Sequence, residues 1–203
     1  DATIGQTTNS LWLYTGTGDY ERIGSTNTGT DNLMLGISDP HYPAYRDVAV
    51  ATKASDLTNC KNTTKDTTGA KCPQTPKDVG WYITLDDFQK VTAEPTVSSG
   101  LVYFPIYKPS SSVNKCSLGD AFICGVDDEC GTNVSNKLGS FRNKKDSCMY
   151  VGQGVLSRIV VYANKLFANI AGQSTNAQKK DLVVLDAAAG GTSSYRSSWR
   201  QNY

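Results

Sequence analysis

No stretch of this chain approaches the ~20 consecutive apolar residues that a membrane-spanning helix requires. No secretory leader is visible at its start either. Histidine occurs once, as His41, which excludes a metal site built from several imidazoles. There is no Cys-x-x-Cys pair, so a zinc ribbon is excluded as well. Charged residues make up 19% of the chain and the net charge is +1, which leaves no broad electrostatic case for nucleic acid or an anionic membrane. The basic pairs Lys144-Lys145 and Lys179-Lys180 read as solvated loop. A long, well-marked helix is also missing.

Ser, Thr, Asn and Gly fill the space, and they favour turns and exposed strands. At 203 residues and 38% hydrophobic, the chain can form one good core or two small ones. Six cysteines, Cys60, Cys72, Cys116, Cys124, Cys130 and Cys148, sit in the middle of the chain. An even count points to disulfides and an oxidising compartment. Six allow 15 connectivities, and the sequence does not choose among them. Local spacing favours Cys60 with Cys72, Cys116 with Cys124, and Cys130 with Cys148. Each bridge would stabilise by roughly 2–4 kcal/mol. Export without a visible leader suggests a mature or excised product that starts at Asp1.

Short apolar runs bounded by turn residues predict strands at 11–15, 32–37, 81–85, 91–97, 101–107, 121–126, 148–152, 156–162, 165–170 and 181–185. A closing strand is predicted at 195–199. Ser98-Ser99-Gly100 marks a turn inside the 80–109 meander, and Ala163-Asn164 marks another. Residues 156–170 also fit a 3.6-residue period, but the β-branched runs around Asn164 favour two strands. Polar stretches at 45–79 and 110–147 read as cysteine-pinned loop insertions. The expected fold class is all-β, as one domain over 1–203.

Several phrases, in order, resemble the C-terminal β-propeller of the PilY/PilC-type proteins, the tip-associated adhesins and assembly factors of type IV pili. The best match is GWYITL at 80–85 followed by EPTVSSGLVYFPIYKP at 94–109. Others are YTGTGDY at 14–20, LGISD at 35–39, GQGVLSR at 152–158, Leu185-Asp186-Ala187 and Trp199-Arg200. Ala189 stands where the family has Thr, and the cysteine-rich insertions depart from its pattern. A blade takes about 40–50 residues, so the resemblance implies a partial propeller of about three antiparallel blades. It also implies an extracellular, pilus-associated or outer-membrane-associated protein of adhesion and pilus assembly, with no catalytic residues and no cofactor of its own. The expected partners are the remaining blades on another chain or copies of itself, minor pilins at a pilus tip, and a host or abiotic surface. Calcium is expected, if anywhere, elsewhere in the full propeller. Two other readings stay open. One is a filament subunit pairing through open sheet edges. The other is a fragment of a quinoprotein-like dehydrogenase, since strand-turn phrases of this kind recur in that class.

Individual motifs carry less. Asp127-Asp128-Glu129 offers the hard oxygen ligands Ca²⁺ prefers, yet lacks the family's Asp-x-Asp-x-Asn spacing, so a solvated acidic loop is expected. His41 is expected to be structural or exposed, and Ser157 lies outside a Gly-x-Ser-x-Gly elbow. Gly16-Thr17-Gly18 lacks the third glycine and the lysine of a phosphate loop and reads as a turn. Asn62 and Asn133 fit glycosylation sequons. Tyr42, Tyr45, Tyr103, Tyr107, Tyr195 and Tyr203 are candidates for a contact surface, because tyrosine joins apolar area to a polar tip. Sheet packing is expected to take about two-thirds of the aromatics.

Overall fold

A computed structural model describes residues 1–19, 21–26, 31–39, 41–44, 53–60, 79–85, 88–111, 118–132, 147–172 and 182–187. Strands take 54% of them, with no α-helix, so the chain is all-β. Sheet 1 is built from β1 (Ala2–Ile4), β2 (Leu11–Gly16), β3 (Leu33–Asp39), β4 (Thr58–Asn59) and β5 (Gly80–Thr84), in the order β1-β2-β3-β5-β4. Sheet 2 holds β6 (Lys90–Val91), β7 (Thr96–Ser98), β8 (Leu101–Lys108), β9 (Asp120–Asp127) and β10 (Cys148–Gln153). Both β6 and β7 lie along one side of β8, with β9 and then β10 on the other. Sheet 3 holds β11 (Val155–Leu156), β12 (Val160–Tyr162), β13 (Lys165–Ala171) and β14 (Leu182–Asp186). It repeats the plan of sheet 2: two short strands, β11 and β12, pair with β13, which then pairs with β14.

The two predicted hairpin turns are present. Ser99 and Gly100 have φ of 55° and 76°, and Ala163 and Asn164 have 46° and 59°. Positive φ at both central residues is the mark of the type I′ turn, whose twist matches that of the strands it joins. The helical alternative for 156–170 is therefore not adopted. The single strand expected at 91–97 is interrupted, and Pro105 gives the reason. Its carbonyl accepts from the Thr92 N–H at 3.3 Å, so the same side of Pro105 faces β6. Proline has no N–H to return, and the ladder stops there before resuming at Thr96. Residues 156–162 break in a similar place. There the Ser157 hydroxyl, not its carbonyl, accepts from the Asn169 N–H at 3.0 Å.

Sheet 2 lies in the middle of the stack. On β8, Leu101 and Tyr103 pack into one core with Ala121 and Ile123 of β9 and with Leu156, Ile159, Leu166 and Ala168 of sheet 3. The alternate residues Val102, Phe104 and Ile106 pack into a second core with Cys124, Val126, Trp12, Tyr14, Met34 and Trp81. This is a period of two with both faces apolar, as expected of a strand buried on both sides. Three sheets stacked with open ends are consistent with part of a propeller.

Some expectations shift. The 45–79 insertion is not featureless: β4 lies within it and pairs parallel with β5, and Cys60 is buried in the core between sheets 1 and 2. The expected pairings Cys116–Cys124 and Cys130–Cys148 give way to a Cys124–Cys148 disulfide. Those two cysteines stand directly opposite each other on β9 and β10, where facing side chains are nearest neighbours. Cys130 is likewise disulfide-bonded. Cys72 and Cys116 lie outside the described residues, as do the predicted strand at 195–199, both sequons and both lysine pairs.

Candidate functional site

The acidic triplet at the end of β9 is the most unusual chemical feature of the described structure, and it is not a solvated loop. Asp127, Asp128 and Glu129 are 7%, 6% and 7% exposed. The chain turns here because Asp127 caps it: its Oδ1 accepts from the N–H of Glu129 at 3.2 Å and of Cys130 at 3.0 Å. The Gly131 N–H reaches the Asp127 carbonyl at 2.8 Å. Aspartate favours such turns because its short side chain can bond the backbone two or three residues on.

Three residues of the turn then hold sheet 1. The Glu129 carboxylate accepts from the N–H groups of Thr7 and Thr8 at 2.7 and 2.8 Å, in the loop between β1 and β2. The Asp128 carbonyl accepts the indole N–H of Trp81, on β5, at 2.8 Å. The Cys130 carbonyl lies 2.9 Å from Sγ of Cys60. The Trp81 ring occupies a slot between two glycines. A Cβ on Gly36 would fall 2.4 Å from Trp81 Cε2, and one on Gly131 would fall 2.5 Å from Cδ2. Trp12 and Tyr14 continue the aromatic layer, Trp12 stacking on Tyr14 at 6.4 Å and Tyr14 lying 6.2 Å from Trp81.

The electrostatics follow from burial. Removal from water pushes the Asp128 carboxyl up to about 6, with the charges of Asp127 and Glu129 adding to the rise and hydrogen bonds from the N–H groups of Glu129 and of Asp128 itself opposing it. The Tyr14 phenol is raised too, by burial first and then by Asp128, Glu129 and Asp127. Its hydroxyl oxygen is buried with no hydrogen-bond partner among the described residues.

This arrangement does not suit Ca²⁺. Both Glu129 oxygens and Oδ1 of each aspartate already face backbone N–H groups. Among the described residues no group of three His, Cys, Asp or Glu side chains is placed to hold a metal ion. The turn can do something else: tie sheet 2 to sheet 1 through charge-assisted hydrogen bonds, which are stronger than neutral ones.

The remaining candidates divide by exposure. His41 lies on an exposed turn, its backbone N–H bonded to Asp39 Oδ1 at 2.9 Å. Of the tyrosines picked for contact, Tyr103 and Tyr107 are buried and serve packing, whereas Tyr42 is exposed. Tyr45, Tyr195 and Tyr203 lie outside the described residues. Among the described residues two exposed tyrosines escaped the sequence reading, Tyr150 on β10 and Tyr162 on β12. Their positions in alternating strands carried the signal, because each is out of phase with the partly buried side chains beside it, Met149 and Val151 in one case and Val161 in the other. Gly16 and Gly18 do not bound a phosphate loop. They pack against β6, where the Val91 N–H donates to the Thr17 carbonyl at 3.1 Å.

No protein-family model matches the chain, and no curated protein matches it. Among solved structures, the C-terminal domain of PilY1 from Pseudomonas aeruginosa aligns with a TM-score of 0.59 at 13% identity. The alignment covers 94% of this chain and 44% of that one. The chain thus has, at a distant remove, the fold of part of that domain, and it spans less than half of its length.

Proposed function

We propose that this chain is part of an extracellular, non-enzymatic protein of adhesion and pilus assembly, working at the tip of type IV pili. The observation that carries this reading is the likeness of fold to the PilY1 C-terminal domain over 94% of the chain. The ordered sequence phrases from 14 to 200 support the same family. The disulfide between Cys124 and Cys148 suits an oxidising, exported setting. No helix among the described residues is long and apolar enough to cross a membrane.

Within this reading, the stacked sheets are scaffold and the connecting segments carry recognition, since loops on a rigid framework commonly hold binding residues. Tyr42, 44% exposed on the turn after β3, supplies amphipathic contact area there. The test is deletion of the encoding gene in its own host, followed by counts of surface pili and of attached cells. Loss of either, restored by the intact gene, is the expected result. Unchanged piliation and attachment would overturn the reading.

A further inference from the structure

Among the described residues, two buried side-chain oxygens have no hydrogen-bond partner, Tyr14 Oη and Thr132 Oγ1. Both belong to the junction of sheets 1 and 2. Tyr14 lies on the inward face of β2. Thr132 ends the acidic turn, its carbonyl accepting from the Asp127 N–H at 3.0 Å. A hydroxyl that loses its hydration on burial and gains no partner is costly. Native proteins satisfy such groups, with ordered water where protein atoms do not reach.

Register sets the surroundings of Tyr14. It stands opposite Gly36, and Gly36 opposite Trp81, in one row across β2, β3 and β5. The middle position has no side chain, and the two rings lie 6.2 Å apart across it. Trp12 stacks on Tyr14 at 6.4 Å. Both tryptophans are fastened to the acidic turn. The Trp81 indole donates to the Asp128 carbonyl at 2.8 Å. The Trp12 indole donates to Thr8 Oγ1 at 2.9 Å, and the Thr8 N–H donates to Glu129 at 2.8 Å. The phenol beside them is therefore turned toward the acidic residues, and the charges of Asp128, Glu129 and Asp127 all act on it.

Asp128 offers the matching acceptor. Its Oδ1 takes the Glu129 N–H at 2.9 Å, whereas Oδ2 receives no hydrogen bond from another described residue. A donor and an acceptor thus face one another without a direct bond, which is the situation a bridging water resolves. A cation fits less well. Ca²⁺ takes about 6–8 oxygens, and both Glu129 oxygens and Oδ1 of each aspartate already face N–H groups.

We propose that the junction of sheets 1 and 2 holds an internal water site, in which one ordered water accepts from the Tyr14 hydroxyl and donates to Asp128 Oδ2. At neutral pH both partners are in the form this requires. Burial and the three carboxylates keep the phenol protonated, and the Asp128 carboxyl, pushed up to about 6, is ionised. The water ties β2 to the acidic turn, as the β1–β2 loop and β5 are tied directly.

A high-resolution crystal structure of the intact chain tests the site itself. Density for one water within hydrogen-bonding distance of both Tyr14 Oη and Asp128 Oδ2 is the expected result. A direct bond between the two side chains, a metal ion in the site, or no density there would each overturn the proposal. Urea midpoints at pH 7 for Tyr14→Phe, Asp128→Ala and the double variant test the link. Tyr14→Phe is expected to lower the midpoint in the wild-type chain, and to lower it less where Asp128 is already Ala. A midpoint unchanged or raised by Tyr14→Phe is what release of an unpaired buried hydroxyl gives, and it would overturn the proposal, as would an equal drop in both backgrounds.

Discussion

Glu129 and Asp128 are adjacent, equally buried and chemically alike, yet their surroundings treat them differently. Glu129 receives two backbone N–H groups from the β1–β2 loop. Asp128 has Oδ1 on its neighbour's N–H and faces Asp127, Glu129 and the raised phenol of Tyr14. Its carboxyl is therefore raised from an ordinary 3.8 to about 6. In that window the folded state binds more protons than the unfolded one, so stability falls as pH rises. The contribution is full below the ordinary value and lost above about 6. Replacing Asp128 with Asn keeps the acceptor and removes the titration. Asp128→Asn is expected to raise stability at pH 7 by on the order of 2 kcal/mol and to leave it nearly unchanged at pH 4. Urea midpoints at the two pH values measure this, and an equal effect at both would contradict the assignment. None of this was legible in the sequence. An Asp-Asp-Glu run is ordinarily solvated, and the sheet 1 groups it binds here lie between 47 and 122 positions away.

At the scale of strands, local chemistry was readable wherever neighbours in sequence decide it. Both type I′ turns follow from short turn residues between β-rich runs, and the long strands fall close to their apolar runs. The breaks between β6 and β7 and between β11 and β12 were missed, because they depend on what lies across the ladder: Pro105 in one case, the Ser157 side chain in the other. The cysteines teach the same lesson. Spacing along the chain favoured Cys116 with Cys124, whereas register placed Cys124 against Cys148. That bridge closes a loop with a sequence separation of 24, for which loop-closure entropy gives about 3–4 kcal/mol. The double variant Cys124→Ala, Cys148→Ala is expected to lose about that much in urea titration. Mass mapping of the wild type under non-reducing conditions should recover a peptide joined through 124 and 148.

Across the whole molecule, the middle sheet organises the rest. It shares one core with sheet 1 and another with sheet 3, and the Trp81 slot joins the first pair more specifically than apolar area could. Gly131 lies against that ring with φ of 64°. A side chain there meets both the left-handed backbone cost and an overpacked slot, so Gly131→Ala is expected to cost about 2–4 kcal/mol. Because Trp81 is fully buried, displacing the turn should also alter its fluorescence. A variant with unchanged stability and emission would show that the slot is looser than the distances imply.

The sequence by itself determined the strand-rich class and the hairpin turns and pointed to disulfide bonding among the cysteines, all of which rest on residue type and near neighbours. Only the tertiary structure decided which cysteines meet and that the acidic turn is an internal tie. Those properties depend on register and on burial by distant segments. An Asp-Asp-Glu run has the same letters whether it meets water or another sheet.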